Sequence, residues 1–146
     1  MSAPLYNKDI LRLATAIPHQ QRLADAQASI EKRSPVCGSR IVVDVRVGPD
    51  GRVAAIGQEV HACALGQASS ALLGQHAIGQ SADELAEARD AVAAWLAGSG
   101  AVPDWPGIDI LTPALPHTAR HPSIRLAFEA AAEAAALAGQ TRADAA

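Results

Sequence analysis

The stretch from Arg40 to Ile56 constrains the fold more than any other: Arg40-Ile-Val-Val-Asp-Val-Arg-Val47, then Gly48-Pro-Asp-Gly51, then Arg52-Val-Ala-Ala-Ile56. Ile41, Val43, Val45 and Val47 recur at period two, so they share one face of an extended chain. The Gly-Pro-Asp-Gly segment supplies the turn chemistry that joins two such runs. An antiparallel hairpin with one apolar face follows, and the rest of the chain must cover that face.

Ahead of the hairpin, Leu5, Ile10, Leu11, Leu13 and Ile17 lie at near-helical spacing and predict a helix from Pro4 to about Ala16, stopped by Pro18. His19 to Gln27 reads as polar connection, and Ala28 to Arg33 as a short strand ending at Ser34-Pro35. Beyond the hairpin, Ala64 to Leu73 lacks strand alternation and suits a helix of small, closely packed residues. Ser81-Ala-Asp-Glu84 is a capping signature before Leu85, Ala88, Val92, Trp95 and Leu96, an amphipathic helix closed by Gly98-Ser-Gly100.

Pro103, Pro106, Pro113 and Pro116 hold the segment from Val102 to Thr118 to irregular structure or short turns. An alanine-rich helix then spans about Pro122 to Leu137, and a frayed tail is expected beyond Gly139. The order of elements predicts an α+β fold: a small three-stranded antiparallel sheet with helices packed on one face. Residues 1–146 are read as a single domain with its core at about 4–138, and no internal repeat is visible.

At 15.0 kDa such a domain can bury a core without metal or disulfide staples. The net charge of -3 and the absence of any basic run give no electrostatic footprint for nucleic acid or anionic lipid. Polar residues interrupt the N-terminal stretch where an export signal needs an apolar run, and every other apolar stretch is broken short of a membrane span. A soluble, cytoplasmic protein is the expectation. In a reducing compartment the two cysteines, Cys37 and Cys63, are free thiols before they are a disulfide.

Both cysteines sit at strand boundaries, in Ser34-Pro-Val-Cys-Gly-Ser39 before the hairpin and His61-Ala-Cys-Ala-Leu-Gly-Gln-Ala-Ser-Ser70 after it. Gly38 permits a tight turn, so that Cys37 and Ser39 can project from the same end of the sheet. Cys63 precedes a helix start, where unpaired backbone N–H groups and the helix dipole favour an anionic sulfur. Because a hairpin returns to where it began, the two thiols are expected near each other.

These segments resemble the U-type iron–sulfur cluster scaffold family that includes IscU, SufU and the N-terminal part of NifU. The matching motifs are Pro35-Val-Cys-Gly-Ser39, Asp50-Gly51 in the turn, Ala62-Cys-Ala-Leu-Gly-Gln-Ala-Ser69, and Arg120-His-Pro-Ser-Ile-Arg-Leu-Ala-Phe128. The likeness extends from about Tyr6 to Leu137, with SufU-like spacing after Cys63. It implies a SufE/NifU-like fold and a noncatalytic scaffold that accepts persulfide sulfur from a cysteine desulfurase and passes clusters to recipient apo-proteins. Cys37 would be the persulfide acceptor.

The departures bear on the chemistry. Ser39 stands where the family carries an aspartate, and Ser123 where it carries a third cysteine. A hydroxyl stays protonated near neutral pH and binds zinc or iron poorly, whereas thiolate and imidazole bind well. Three completions remain open. His61 or His121 could replace the missing ligands of Cys37 and Cys63; two chains could each lend both thiols to one 2Fe–2S cluster in a homodimer; or no metal binds, and a degenerate paralogue binds a desulfurase or another partner.

The plainer readings are these. A cysteine is often just a small buried hydrophobe, Ser39 and Ser123 can be ordinary turn and first-turn residues, and two thiols can form a redox switch. Trp95 and Trp105 read as packing, Ser69-Ser70 as close approach of a helix to the sheet, and His19, His76 and His117 have no ligand spacing.

Overall fold

The computed structural model describes residues 6–35 and 38–145. Three antiparallel strands, β1 (Ala28–Arg33), β2 (Arg40–Val47) and β3 (Val53–His61), form one sheet in that order. Among the described residues four α-helices accompany them: α1 (Lys8–Ala14), α2 (Ala64–His76), α3 (Ala82–Leu96) and α4 (His121–Ala145). Among these, α4 lies against β1 and β2 and also packs on α2 and α3.

The hairpin forms as its pattern requires. Gly51 takes φ +77° and its N–H donates to Gly48 O at 2.9 Å, closing the turn. β3 runs on to His61, opposite Arg40, past the Ile56 at which the sequence pattern fades. Ile41, Val43 and Val45 are fully buried beneath the helices together with Ile56 and Val60 of β3. Small residues on α4, among them Ala127, Ala130, Ala131, Ala134 and Ala135, allow it to approach closely while Phe128 fills the space beside Trp105. Burying a ring such as Phe128 contributes roughly 1.5–3 kcal/mol.

Several boundaries differ from expectation. α1 begins at Lys8, capped by the Asn7 side chain that accepts from Ile10 N, and ends at Ala14; Pro4 lies outside the described residues. α3 begins as predicted, with both arms of the Ser81/Glu84 capping box made. The proline-rich segment contains a 3-10 helix at Ile108–Ala114 and another at Thr118–Arg120. In place of a frayed tail, α4 continues through Gly139 to Ala145. One interior glycine costs only about 1 kcal/mol relative to alanine, less than a run of good helix formers on both sides returns.

The polar connection from His19 to Gln27 is a strap across the sheet face that the helices leave open. His19 O accepts from Gln58 N at 2.8 Å on the β3 edge, and Gln27 N donates to Val45 O at 3.0 Å beside β1. Between these anchors the strap crosses Gly57, where a Cβ would clash with Gln21 O and crowd Leu23 N. Its clamp is Asp44, fully buried, which accepts from Arg22 Nε at 2.7 Å, Leu23 N at 2.9 Å and Ser29 Oγ.

Candidate thiol site at the sheet rim

β3 carries the chain to the rim at His61, and α2 starts three residues later. Cys63 is the residue between them: an extended N-cap (φ -66°, ψ 171°) whose sulfur makes no capping hydrogen bond. It is half-buried. Gln67, one turn into α2, donates from Nε2 to Ala62 O at 3.1 Å and fixes the strand-to-helix turn beneath the thiol.

The second segment is the loop between β1 and β2. Gly38 N donates to Ser34 O at 3.0 Å and Ser34 N to Ser39 O at 2.9 Å, so the loop is closed at its base. Gly38 has φ +72°, a conformation that side chains disfavour, and among the described residues beyond its chain neighbours nothing lies within 4 Å of where a Cβ would stand. Val36 and Cys37 lie outside the described residues. Gly38, Ser39, His61, Ala62, Cys63 and Gln67 border one open depression.

The third segment is the first turn of α4. Ser123 is buried, with its hydroxyl oxygen 3.4 Å from that of Ser39. The α2 turn adjoins the same place, because a Cβ on Gly66 would lie 3.4 Å from Ser123 O. Ser69 Oγ donates to Ile124 O at 2.7 Å, so this serine serves the α2–α4 contact, whereas Ser70 faces the sheet through its carbonyl, which accepts from Gln58 Nε2. Three of the positions singled out in the sequence, Ser39, Cys63 and Ser123, therefore come from distant segments to one rim.

The histidines part company. His61 has a side chain 64% exposed on the strap-bearing face, with Nε2 3.9 Å from Glu59 Oε2. His121 is buried, with Nε2 3.0 Å from both Ala114 O and Leu115 O. Its ring ties the 3-10 segment to α4, so the expectation that it could replace a lost ligand gives way to a packing role.

Among the described residues no three of His, Cys, Asp and Glu are placed to hold a metal ion. The donor chemistry fits a soft metal or an iron–sulfur cluster in kind, since thiolates suit both, but one chain has only two cysteines.

A charged ladder beside the site went unremarked in the sequence. Arg40, at the start of β2, reaches Glu31 Oε1 at 2.7 Å and Glu59 Oε2 at 2.8 Å across both neighbouring strands. Arg33 and then Arg40, hydrogen-bonded to Glu31, hold its carboxyl below the usual range. The signal was there: Glu31, Arg33, Arg40 and Glu59 fall on one face at strand period.

No family model matches the sequence, and no curated protein matches it. Solved structures do. The N-terminal part of a nitrogen-fixing NifU-like protein from Brucella abortus is 36% identical, with a TM-score of 0.88 over 93% of this chain and 95% of that one. A candidate iron–sulfur cluster assembly scaffold for the SUF system of Fervidobacterium islandicum AW-1 matches at TM-score 0.80 and 17% identity, over 87% of this chain and 93% of that one. A hypothetical protein matches at TM-score 0.76 and 21% identity, over 88% and 94% respectively. The last two likenesses concern the fold alone.

Proposed function

This chain belongs to the NifU-like N-terminal, U-type scaffold family, and from that premise we propose that it is a noncatalytic sulfur acceptor and iron–sulfur assembly scaffold built on Cys37 and Cys63. The observation that carries the reading is the placement of Cys63. It caps α2 at the border of an open depression that Gly38 and Ser39 share, and Cys37 immediately precedes those two residues in the chain.

The chemistry follows from the thiols. A thiolate at Cys37 attacks the outer sulfur of a cysteine desulfurase persulfide; the donor S–S bond breaks, the donor leaves as thiolate, and Cys37 carries the persulfide. Two electrons from an external reductant, a thiol or an electron-transfer protein, would reduce that sulfur to sulfide and free the Cys37 thiolate, Cys63 would be the second sulfur ligand for iron, and the assembled cluster would pass to recipient apo-proteins. Zinc is the other metal the donors suit, with Cys37, Cys63 and His61 as three ligands and water as the fourth. Two thiols kept for this work fit a reducing, cytoplasmic setting. No described helix is long and apolar enough to cross a membrane, and the whole chain acts as one domain.

Anaerobic reconstitution with iron and sulfide tests the proposal. The wild type is expected to gain visible charge-transfer absorption and bound iron that the Cys37→Ala, Cys63→Ala double variant lacks; identical spectra and iron contents would end it. A second reading has its own support in the buried Ser39–Ser123 pair, which occupies two of the four ligand positions that the resemblance implies. On that reading the chain binds a desulfurase and holds no metal. A pull-down showing partner capture by protein that stays metal-free would favour it.

A further inference from the structure

We infer that this chain self-associates through the exposed face of α1, which on one copy seats in the groove that α3 and residues 103–106 form on another. The inference stands apart from the thiols and from any metal, since the groove shares no lining residue with the rim depression.

The groove encloses about 320 Å³. Its floor is apolar and held in place: Ala88 and Ala91 of α3 are too small to fill it, and Trp105 is fixed by its indole N–H, which donates to Leu72 O at 2.8 Å, and by its edge-on contact with Phe128. Pro103 adds a wall of restricted backbone. The border is acidic, with Glu84, Glu87 and Asp104 around it. Arg52 already meets Glu84, whereas Glu87 and Asp104 are exposed and have no ion-pair partner among the described residues. A preformed apolar slot with two unmet carboxylates selects an apolar side chain flanked by cations, whose stems lie on the floor while their charges reach the border.

α1 carries that pattern. Ile10 and Ala14 anchor it where it packs on α2, which leaves Lys8, Leu11 and Arg12 together on the outward face at helical spacing. Leu11 is 46% exposed. Lys8 and Arg12 are exposed too and have no ion-pair partner among the described residues, and Asp9 lies to one side of this stripe. Among the described residues the other exposed large apolar side chain borne by a helix is Leu137, which has Glu133 one turn away and so brings an anion to an acidic border. No residue of α1 lines the groove of its own chain, so the matching faces meet only between copies. A contact this small and this charged is weak and sensitive to salt.

Sedimentation velocity of the full chain, reduced and free of metal, over a concentration series is the test. The mean mass is expected to rise from one chain toward two or more at low salt and to fall back in about 1 M salt, where the screening length is about 3 Å. Arg12→Glu and Glu87→Arg, both at exposed positions and both checked for folding by circular dichroism, are each expected to weaken association about tenfold or more. An equimolar mixture of the two variants is expected to regain it, because the unchanged α1 of one then meets the unchanged groove of the other. A wild type of one-chain mass at every concentration overturns the inference, as do single variants that associate like the wild type or a mixture that stays monomeric. A monomeric wild type that binds an unrelated amphipathic peptide of leucine and lysine, where Glu87→Arg does not, would assign the groove to a different basic partner and overturn it equally.

Discussion

The hydroxyl oxygens of Ser39 and Ser123 lie 3.4 Å apart although 84 residues separate them in sequence. This pair joins the loop before β2 to the first turn of α4 and so sets the two segments beside Cys63. A thiol at Ser123 would enter the same rim. Ser123→Cys is therefore expected to tighten zinc binding by about tenfold or more, the effect of adding a third thiolate, read by competition with a chromophoric chelator. Ser123→Ala should leave reconstituted iron content unchanged while lowering stability on the order of 1 kcal/mol. Loss of iron from the alanine variant would make the hydroxyl a ligand after all.

His61 separates the two metals. Among the described residues its imidazole is the exposed ring nitrogen donor on the strand leading to Cys63. His61→Ala is expected to weaken zinc binding roughly 10- to 100-fold, as losing one of three protein ligands does, and to spare 2Fe–2S reconstitution. Equal zinc affinity in the variant and the wild type, measured by calorimetry, would remove His61 from the site.

Asp44 gives the fold an acid limit. Burial raises its pKa, but the Arg22 guanidinium, the Ser29 hydroxyl and the Leu23 amide together outweigh burial and hold the carboxyl below its usual value. A carboxylate depressed in the folded state contributes stability in full above its unfolded pKa of about 3.9, lost as pH falls through the lower folded value. Asp44→Asn should cost about 1–3 kcal/mol at pH 7, and its urea midpoint should fall less than that of wild type on going below pH 4. Parallel pH profiles for the two proteins would refute the assignment.

Gly57 is where the strap touches the sheet. A methyl group there meets the backbone of Gln21 and Leu23, so Gly57→Ala must lift the strap or shift β3. A loss of about 1–3 kcal/mol is expected, together with faster amide exchange at Gln58, whose N–H donates to His19 O. Unchanged exchange at Gln58 would show that the strap does not depend on the missing side chain.

What the sequence determined by itself is what short-range chemistry dictates. Period-two valines with a Gly-Pro-Asp-Gly turn force a hairpin, Ser81 with Glu84 starts a helix, and four prolines deny the segment after Gly100 a long one. The two cysteine motifs at the hairpin ends, with the resemblance they carry, pointed to the family. These signals are local because backbone dihedrals and hydrogen-bond caps involve residues only a few positions apart.

Tertiary structure alone decided the rest. Asp44 occupies one polar position in an alternating strand, yet its partners lie 15 to 22 positions away, Arg22 and Leu23 in the strap and Ser29 in β1. Gly57 carried no turn signal, because its reason is a chain crossing above it. His121 looked available as a ligand until the Ala114 and Leu115 carbonyls met its ring. Each outcome depends on which groups packing brings within hydrogen-bond or van der Waals reach, a relation between segments that linear spacing does not encode.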